Sequence, residues 1–560
     1  MTDQLIVDND IMVSMRDGVR LRADVFRPAT GGPFPVLVQR YPYSTRDGIM
    51  AMFGRQIAQQ GYAVVVQSCR GRFGSEGDFY PFHPDIGDSY DTVEWAGVQP
   101  WSTGKVGMYG VSYSGMTQWT AAIAQTPHLV CIAPSVCTWD WTAGGWYFSP
   151  GVLTLGLALV WSAQMTAYEA EKRNKPAPLE QFAEVARIMD EGGLGDPDAM
   201  THLMELQRDG SRDLFHQWPL RDLEALQDLA PWFRDWCDHE DPRDDYWHQI
   251  SGPAHAGEID LPILHITGWH DYFTKGSLDA FETLAGRVDQ RLIVGPWNHN
   301  GSPTRADADP SAWMFFDFSP GSPVMRFFDH HLKGEYPGYA DESPVRLYIM
   351  AENVWRDEQE WPLARTQWTS YYLAGDQRLT IEAPDIESPD EYVHDPLDPV
   401  PGSIASGGTF GDPVDFSAIG RRPDVLIFDT DALATDTEIT GPVRLELWAS
   451  STAPSTDFIA NLIEVLADGS YEPLCNGVVR TQGRGTEPEL VEIDLVATAV
   501  LVRRGHRLRL QVSSSQFPTF ELNPSTGLRI THTSATQSAT QRVFHDSTHL
   551  SRLILPIVPH

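Results

Sequence analysis

Basic residues are scarce in this chain. Forty-one Lys and Arg face 76 Asp and Glu, a formal charge of −35. A surface of that sign repels phosphates and anionic lipid headgroups, which excludes nucleic acid and acidic membranes as natural partners. Cysteine is scarce too. Cys69, Cys131, Cys137, Cys237 and Cys475 are odd in number and widely spaced, and no C-x-x-C occurs. That pattern excludes a zinc site and a disulfide framework and predicts free thiols in a reducing compartment. No apolar run is long enough to span a bilayer, since the richest, around residues 151–163, is short and begins at Gly151. The first ten residues are acidic and carry no cationic and apolar leader pattern, so a cytoplasmic location is expected. Internal repeats and low-complexity tracts are absent as well.

What is present is a long globular chain. At 560 residues it exceeds one compact core. With 42% hydrophobic residues and 18 tryptophans, it can build aromatic-lined cavities. Asp17-Gly18 marks a hairpin between two strand-like runs. Buried strands are expected at 35–40, 62–67, 105–109 and 130–134, with helices at 53–60, 85–95 and 116–124 between them. The helix at 85–95 reads as acidic-faced. This alternation predicts a parallel sheet covered on both sides. It stops near Thr142, gives way to helical stretches at 179–190 and 220–229, and resumes with strands at 261–268 and 291–296. A helical insertion, residues 144–251, within an α/β domain, residues 1–143 and 252–354, accounts for this. From 355 to 560 short alternating strands, such as 425–428, 443–448 and 507–512, predict a β-sandwich of jelly-roll type.

One stretch carries chemistry. Gly110-Val111-Ser112-Tyr113-Ser114-Gly115 joins a buried strand to a helix. A serine among small residues at such a turn is the context of a nucleophile elbow. The general motif is G-x-S-x-G, and here the second glycine comes one residue late. A Gly/Ser-rich turn without chemistry is the alternative.

A serine nucleophile needs a base and an acid that orients it, and α/β enzymes supply them in the order Ser, Asp or Glu, His. Two later loops follow expected parallel strands, where such folds place their sites. Thr267-Gly268-Trp269-His270-Asp271 offers Asp271, and Gly295-Pro296-Trp297-Asn298-His299 offers His299. His265 lies within an apolar strand, His270 precedes Asp271 and reverses the order, and His330-His331 sits on a later helix. An oxyanion hole needs two donors. The N–H of Tyr113 is one. The loop after the first parallel strand holds no His-Gly-Gly-Gly run but does hold Tyr43, whose hydroxyl can be the second; otherwise Tyr43 is an aromatic packed over the sheet edge.

Together, Met15-Arg16-Asp17-Gly18, Pro42-Tyr43, the Ser112 turn, Gly268-Trp269-His270-Asp271, Gly295-Pro296-Trp297-Asn298-His299 and Arg504-Gly505-His506-Arg507 resemble the cocaine esterase / X-Pro dipeptidyl-peptidase family of serine hydrolases. That family's elbow is G-x-S-Y-x-G, so the late glycine fits it. The resemblance implies an α/β-hydrolase domain, an inserted helical cap and a C-terminal jelly roll. It implies Ser112 as nucleophile, His299 as base, Asp271 as its orienter, and Tyr43 and Tyr113 as oxyanion donors. It further implies an acyl pocket lined by Trp146, Trp161 and Phe273, with Phe410 from Gly407-Gly408-Thr409-Phe410-Gly411, which lacks the leucine that accompanies the phenylalanine in the family. The expected substrate is a small ester or amide, cleaved through an acyl-enzyme without metal or organic cofactor. A dipeptidyl peptidase, an α-amino-acid ester hydrolase or acylase, and an inactive carbohydrate-binding protein are the alternatives. A homodimer is compatible with exposed jelly-roll edges.

Overall fold

The structure, a computed structural model, describes residues 4–44, 49–190, 202, 205, 206, 209, 210, 212–309, 317–385, 387–403, 414–482 and 485–559. Strands β1 (Leu5–Ser14) and β2 (Arg20–Pro28) form the hairpin turned at Asp17-Gly18. Then come β3 (Phe34–Tyr41), α1 (Ile49–Ala58), β4 (Ala63–Ser68), α2 (Asp85–Gly97), β5 (Ser102–Val111), α3 (Tyr113–Ile123) and β6 (Leu129–Ser135). A small hairpin, β7 (Tyr147–Ser149) and β8 (Val152–Leu153), leads into α4 (Leu155–Lys172) and α5 (Glu180–Asp190). The sheet resumes with β9 (Ile263–His270), β10 (Gln290–Asn298), β11 (Val345–Ile349) and β12 (Val354–Glu358).

These strands make one ten-stranded sheet in the order β1-β2-β4-β3-β5-β6-β9-β10-β11-β12. It is parallel from β4 to β11, with antiparallel strands at both edges. Its centre is covered on both faces, which continuous runs such as Ala63-Val64-Val65-Val66 require. Val36, Val38 and Val65 enter one core, while Leu37, Val64 and Val66 enter another on the opposite face.

Two expected helices differ in detail. Helix α2 turns Asp85 and Asp88 inward, each under 4% exposed, because the buried Arg40 guanidinium and Arg70 lie against that face. The stretch 220–229 is broken into a short 3-10 turn, Leu220–Asp222, and one helical turn, Glu224–Gln227. The break falls at Leu223, whose φ of −55° and ψ of 108° leave the helical region, while the N–H groups of Leu220 and Arg221, which a helix starting there would leave unpaired, donate to the Ile530 and Thr531 carbonyls. Helix α4 is apolar nearly all round and almost wholly buried, as such a composition demands.

Beyond β12 the chain is all-β. It comprises β13 (Gln367–Ala374), β14 (Arg378–Thr380), β15 (Asp390–His394), β16 (Leu426–Asp429), β17 (Thr437–Ser451), β18 (Ser455–Val465), β19 (Tyr471–Gln482), β20 (Glu489–Val502), β21 (Arg507–Ser513), β22 (Ala539–Phe544) and β23 (Arg552–Val558). Several of these strands are longer than the sequence pattern suggests. The fifteen residues of β17 pass through Gly441-Pro442, where its pairing with β20 shifts register. All eleven residues of β18 are buried, which erases the alternation that would mark it. The all-β part shares one continuous apolar core with the far edge of the first sheet, which includes Leu292, Val294, Val345 and Leu347 on the sheet side and Phe428, Leu445, Leu462 and Leu508 on the other, with β20 lying against β11 and β9. Met350 also exchanges backbone hydrogen bonds with Ala499 and Leu501.

Candidate active site

The C-terminal ends of β3, β5, β9 and β10 lie on one edge of the parallel sheet. Tyr43, Ser112, Asp271 and His299 each follow one of them. Ser112 sits between β5 and α3 with φ 54° and ψ −124°, a left-handed conformation costing a non-glycine residue about 1–3 kcal/mol. Its surroundings enforce it. The Ser112 N–H donates to the Ser135 carbonyl of β6 at 3.0 Å, and its carbonyl accepts from Gly115 and Met116.

The flanking glycines explain the spacing of the motif. A Cβ on Gly110, whose φ is 136°, would stand 2.5 Å from the Ser114 Cβ, and one on Gly115 would stand 2.6 Å from the Cys137 sulfur. Ser114, where the general motif has glycine, is tolerated because it is fully buried and its hydroxyl donates to the Arg40 carbonyl at 2.8 Å.

His299 lies between the other two groups. Its Nε2 is 2.9 Å from Ser112 Oγ and its Nδ1 is 2.9 Å from Asp271 Oδ1. The Asp271 carboxylate is fully buried, and the His299 ring is a tenth exposed. Tyr272 stacks on that ring at 4.2 Å, and Phe273 meets it edge-on at 5.5 Å. The competing histidines lie elsewhere. His265 is buried beside Gln290, and His270 faces the Met350 sulfur. Burial pushes His265 down to about 3 and His270 down to about 4, so neither suits a base near neutral pH.

Tyr113 begins α3, where a backbone N–H has no intrahelical acceptor. Its side chain is tied beneath the turn, the hydroxyl donating to Asp85 Oδ2 at 2.6 Å. Asp85 in turn accepts from Arg40, which is wholly buried and also bonds Gln67 and Ser89. Nothing in the local sequence marks this Arg40–Asp85 support. Only the burial of a cation inside an apolar strand could have hinted at it.

Tyr43 is half-buried, with its hydroxyl accepting from the Trp161 indole N–H at 2.8 Å. Burial, partly offset by that bond and by Arg72, raises its phenol to about 12, so it stays protonated. Trp161 belongs to an aromatic box over the elbow. It stacks on Tyr113 at 6.1 Å and lies 5.4 Å from Trp146, which itself stacks on Trp236 at 4.4 Å. Phe410 lies outside the described residues.

A cavity of about 530 Å³ opens beside Tyr43, walled by Arg72, Tyr168 and Arg187. A second, of about 680 Å³, lies behind Asp271 against the all-β part and does not open on Ser112. Among the described residues, no group of three or more His, Cys, Asp or Glu is placed to hold a metal ion, and no helix is long and apolar enough to cross a membrane. All five cysteines are free.

Residues 17–301 match the family model of the X-Pro dipeptidyl-peptidase (S15 family), and residues 337–554 match that of its C-terminal non-catalytic domain. The chain is 36% identical to a cocaine esterase from Rhodococcus sp. (strain MB1 Bresler), over 99% of this chain and 98% of that one. This chain belongs to the S15 family. It is therefore a serine-type hydrolase, of a family that cleaves esters and peptides. Two solved structures share its fold along the whole length. An α-amino acid ester hydrolase superposes with a TM-score of 0.78 at 24% identity, covering 99% of this chain and 97% of that one. An aminopeptidase from a marine sediment Thaumarchaeota archaeon does so with a TM-score of 0.77 at 23% identity, covering 100% and 98%. The fold is thus an α/β-hydrolase domain joined to a C-terminal all-β domain.

Proposed function

We propose that this S15 protein is a carboxylic-ester hydrolase working through an acyl-enzyme on Ser112. The observation that carries the reading is the hydrogen-bonded line Ser112–His299–Asp271, two contacts of 2.9 Å drawn from three strand ends. His299 Nδ1–H donates to Asp271, which leaves Nε2 free to accept the Ser112 proton. As Oγ attacks the ester carbonyl, the proton passes to Nε2 and the carbonyl oxygen becomes an oxyanion. The Tyr113 N–H and the Tyr43 hydroxyl donate to that oxygen, and the N-terminal end of α3 favours its charge. His299 returns the proton to the leaving alkoxide. Water then repeats the sequence, releasing the acid and restoring Ser112. The acyl group rests among aromatic side chains. Phe273 lies beside His299, Trp161 lies beside Tyr113, and Trp146 backs Trp161. Such a lining suits an apolar or aromatic acyl group.

Full-length identity of 36% to a cocaine esterase favours an ester over a peptide substrate. The test uses p-nitrophenyl benzoate and Gly-Pro-p-nitroanilide side by side, with a fluorophosphonate label. Ester turnover and labelling of Ser112 are expected, and Ser112→Ala should abolish labelling and lower kcat by about 10⁶-fold. Faster cleavage of the anilide would replace the esterase by a dipeptidyl peptidase. Ester turnover at the native rate in Ser112→Ala would remove Ser112 from the mechanism.

A further inference from the structure

Tyr43 is bound to the rest of the site in an unusual way. Its hydroxyl is held by a group that can only donate, because an indole has one N–H and no acceptor. Where two hydroxyls meet, either can supply the proton, and the direction is left open. Here the 2.8 Å contact fixes it. The Trp161 N–H occupies a lone pair of Tyr43, and the Tyr43 proton cannot lie on that line. It is turned away, toward whatever acceptor the site offers. A hydroxyl that accepts one hydrogen bond also donates the next more strongly.

The same helix grips the tyrosine a second time. Trp161 lies on α4, and so does Glu169, eight residues on, roughly 12 Å along the axis. Glu169 is fully buried and faces the Arg72 guanidinium at 3.4 Å. Arg72 is 2% exposed, and its Nε–H donates to the Pro42 carbonyl at 2.9 Å, one residue before Tyr43. The Phe73, Phe79 and Tyr168 rings enclose the guanidinium. One helix of the inserted segment therefore anchors both the hydroxyl of Tyr43 and the backbone that carries it.

We infer that Trp161 is a positioning residue for the oxyanion hole: its indole N–H aims the Tyr43 proton at the substrate oxygen, so α4 must be seated for the hole to be complete. This rests on Tyr43 being an oxyanion donor, and it assigns Trp161 a role distinct from lining the acyl pocket. A lining role needs the shape of the ring. The positioning role needs its N–H.

Replacing Trp161 by 3-benzothienylalanine separates the two, since sulfur replaces the N–H and the bicyclic shape is kept. The assay substrate is p-nitrophenyl acetate, whose acyl group is too small to need the aromatic box. The isostere should lower kcat roughly three- to tenfold, the scale of one net hydrogen bond, with KM unchanged. In a Tyr43→Phe background the same replacement should cost nothing further. Trp161→Phe, which removes both shape and N–H, should add a KM effect with p-nitrophenyl benzoate. An unchanged kcat with the isostere, or an equal loss in both backgrounds, overturns the proposal and leaves Tyr43 in place as a donor. A native rate in Tyr43→Phe alone overturns the oxyanion assignment itself, and Trp161 with it.

Discussion

The two halves of the site are held by different means. Ser112, Asp271 and His299 sit at the ends of β5, β9 and β10, whose spacing is set by the ladder through β6 and by packing on both faces of one sheet. Tyr43 also follows a strand, yet its final position depends on Trp161, Arg72 and Glu169, more than a hundred residues away for the two on α4. The proposed proton relay is thus built into the sheet. The proposed oxyanion hole draws on both the sheet and helix α4.

That contrast can be broken from either side. The largest effect within the relay, apart from loss of the nucleophile, is expected for Asp271→Asn. The amide keeps the shape but no longer selects the imidazole form that accepts the serine proton, and kcat should fall by about 10⁴-fold. Steady-state kinetics on p-nitrophenyl benzoate measures it, and a loss below tenfold would show that His299 is oriented without Asp271. On the other side, Tyr43→Phe removes one of the two proposed oxyanion donors and should lower kcat by about 10²–10³-fold, with fluorophosphonate labelling slowed but retained. Complete loss of labelling would mean that the two halves are not separable.

The smallest effect on rate is expected furthest from the reacting atoms. Beyond β10 the chain is tied to the all-β domain through Arg305, which bonds the fully buried Glu464 at 2.8 Å, while His506 meets the other oxygen of that carboxylate. Glu464→Gln removes one of the two carboxylates that the buried Arg305 guanidinium bonds, leaving Asp307, and weakens a charged hydrogen bond, a change that costs about 1–3 kcal/mol. Thermal melting should begin several degrees lower, with kcat changed little. A large drop in kcat at an unaltered melting temperature would instead place the all-β domain within the relay.

Much of the first half was legible in the sequence. The Ser112 turn, the strand ends before Asp271 and His299, and their order all show as local patterns, because apolar runs bounded by glycine mark strands entering turns. The second half was legible only as residue types. Trp161 and Tyr43 stand 118 positions apart, and no periodicity links them. The acidic face of α2 misleads for the same reason. Asp85 and Asp88 look solvated until Arg40 and Arg70 are seen against them. The stretch 220–229 has helical composition, yet the backbone leaves the helical region at Leu223, with ψ 108°. For Tyr43, Asp85 and Asp88 a long-range partner overrides the local signal.

The core shared between the far edge of the first sheet and the all-β domain bears on how this enzyme could be made smaller. A chain cut after β12 would strip the far edge of the first sheet of the strand β20 that lies against it and of the rest of the shared apolar core, and would leave Met350 without its backbone partners. The excised fragment would present a sticky wall to its neighbours in solution. Miniaturisation by truncation is therefore closed to this protein, and shortening of surface loops is the route left to a designer.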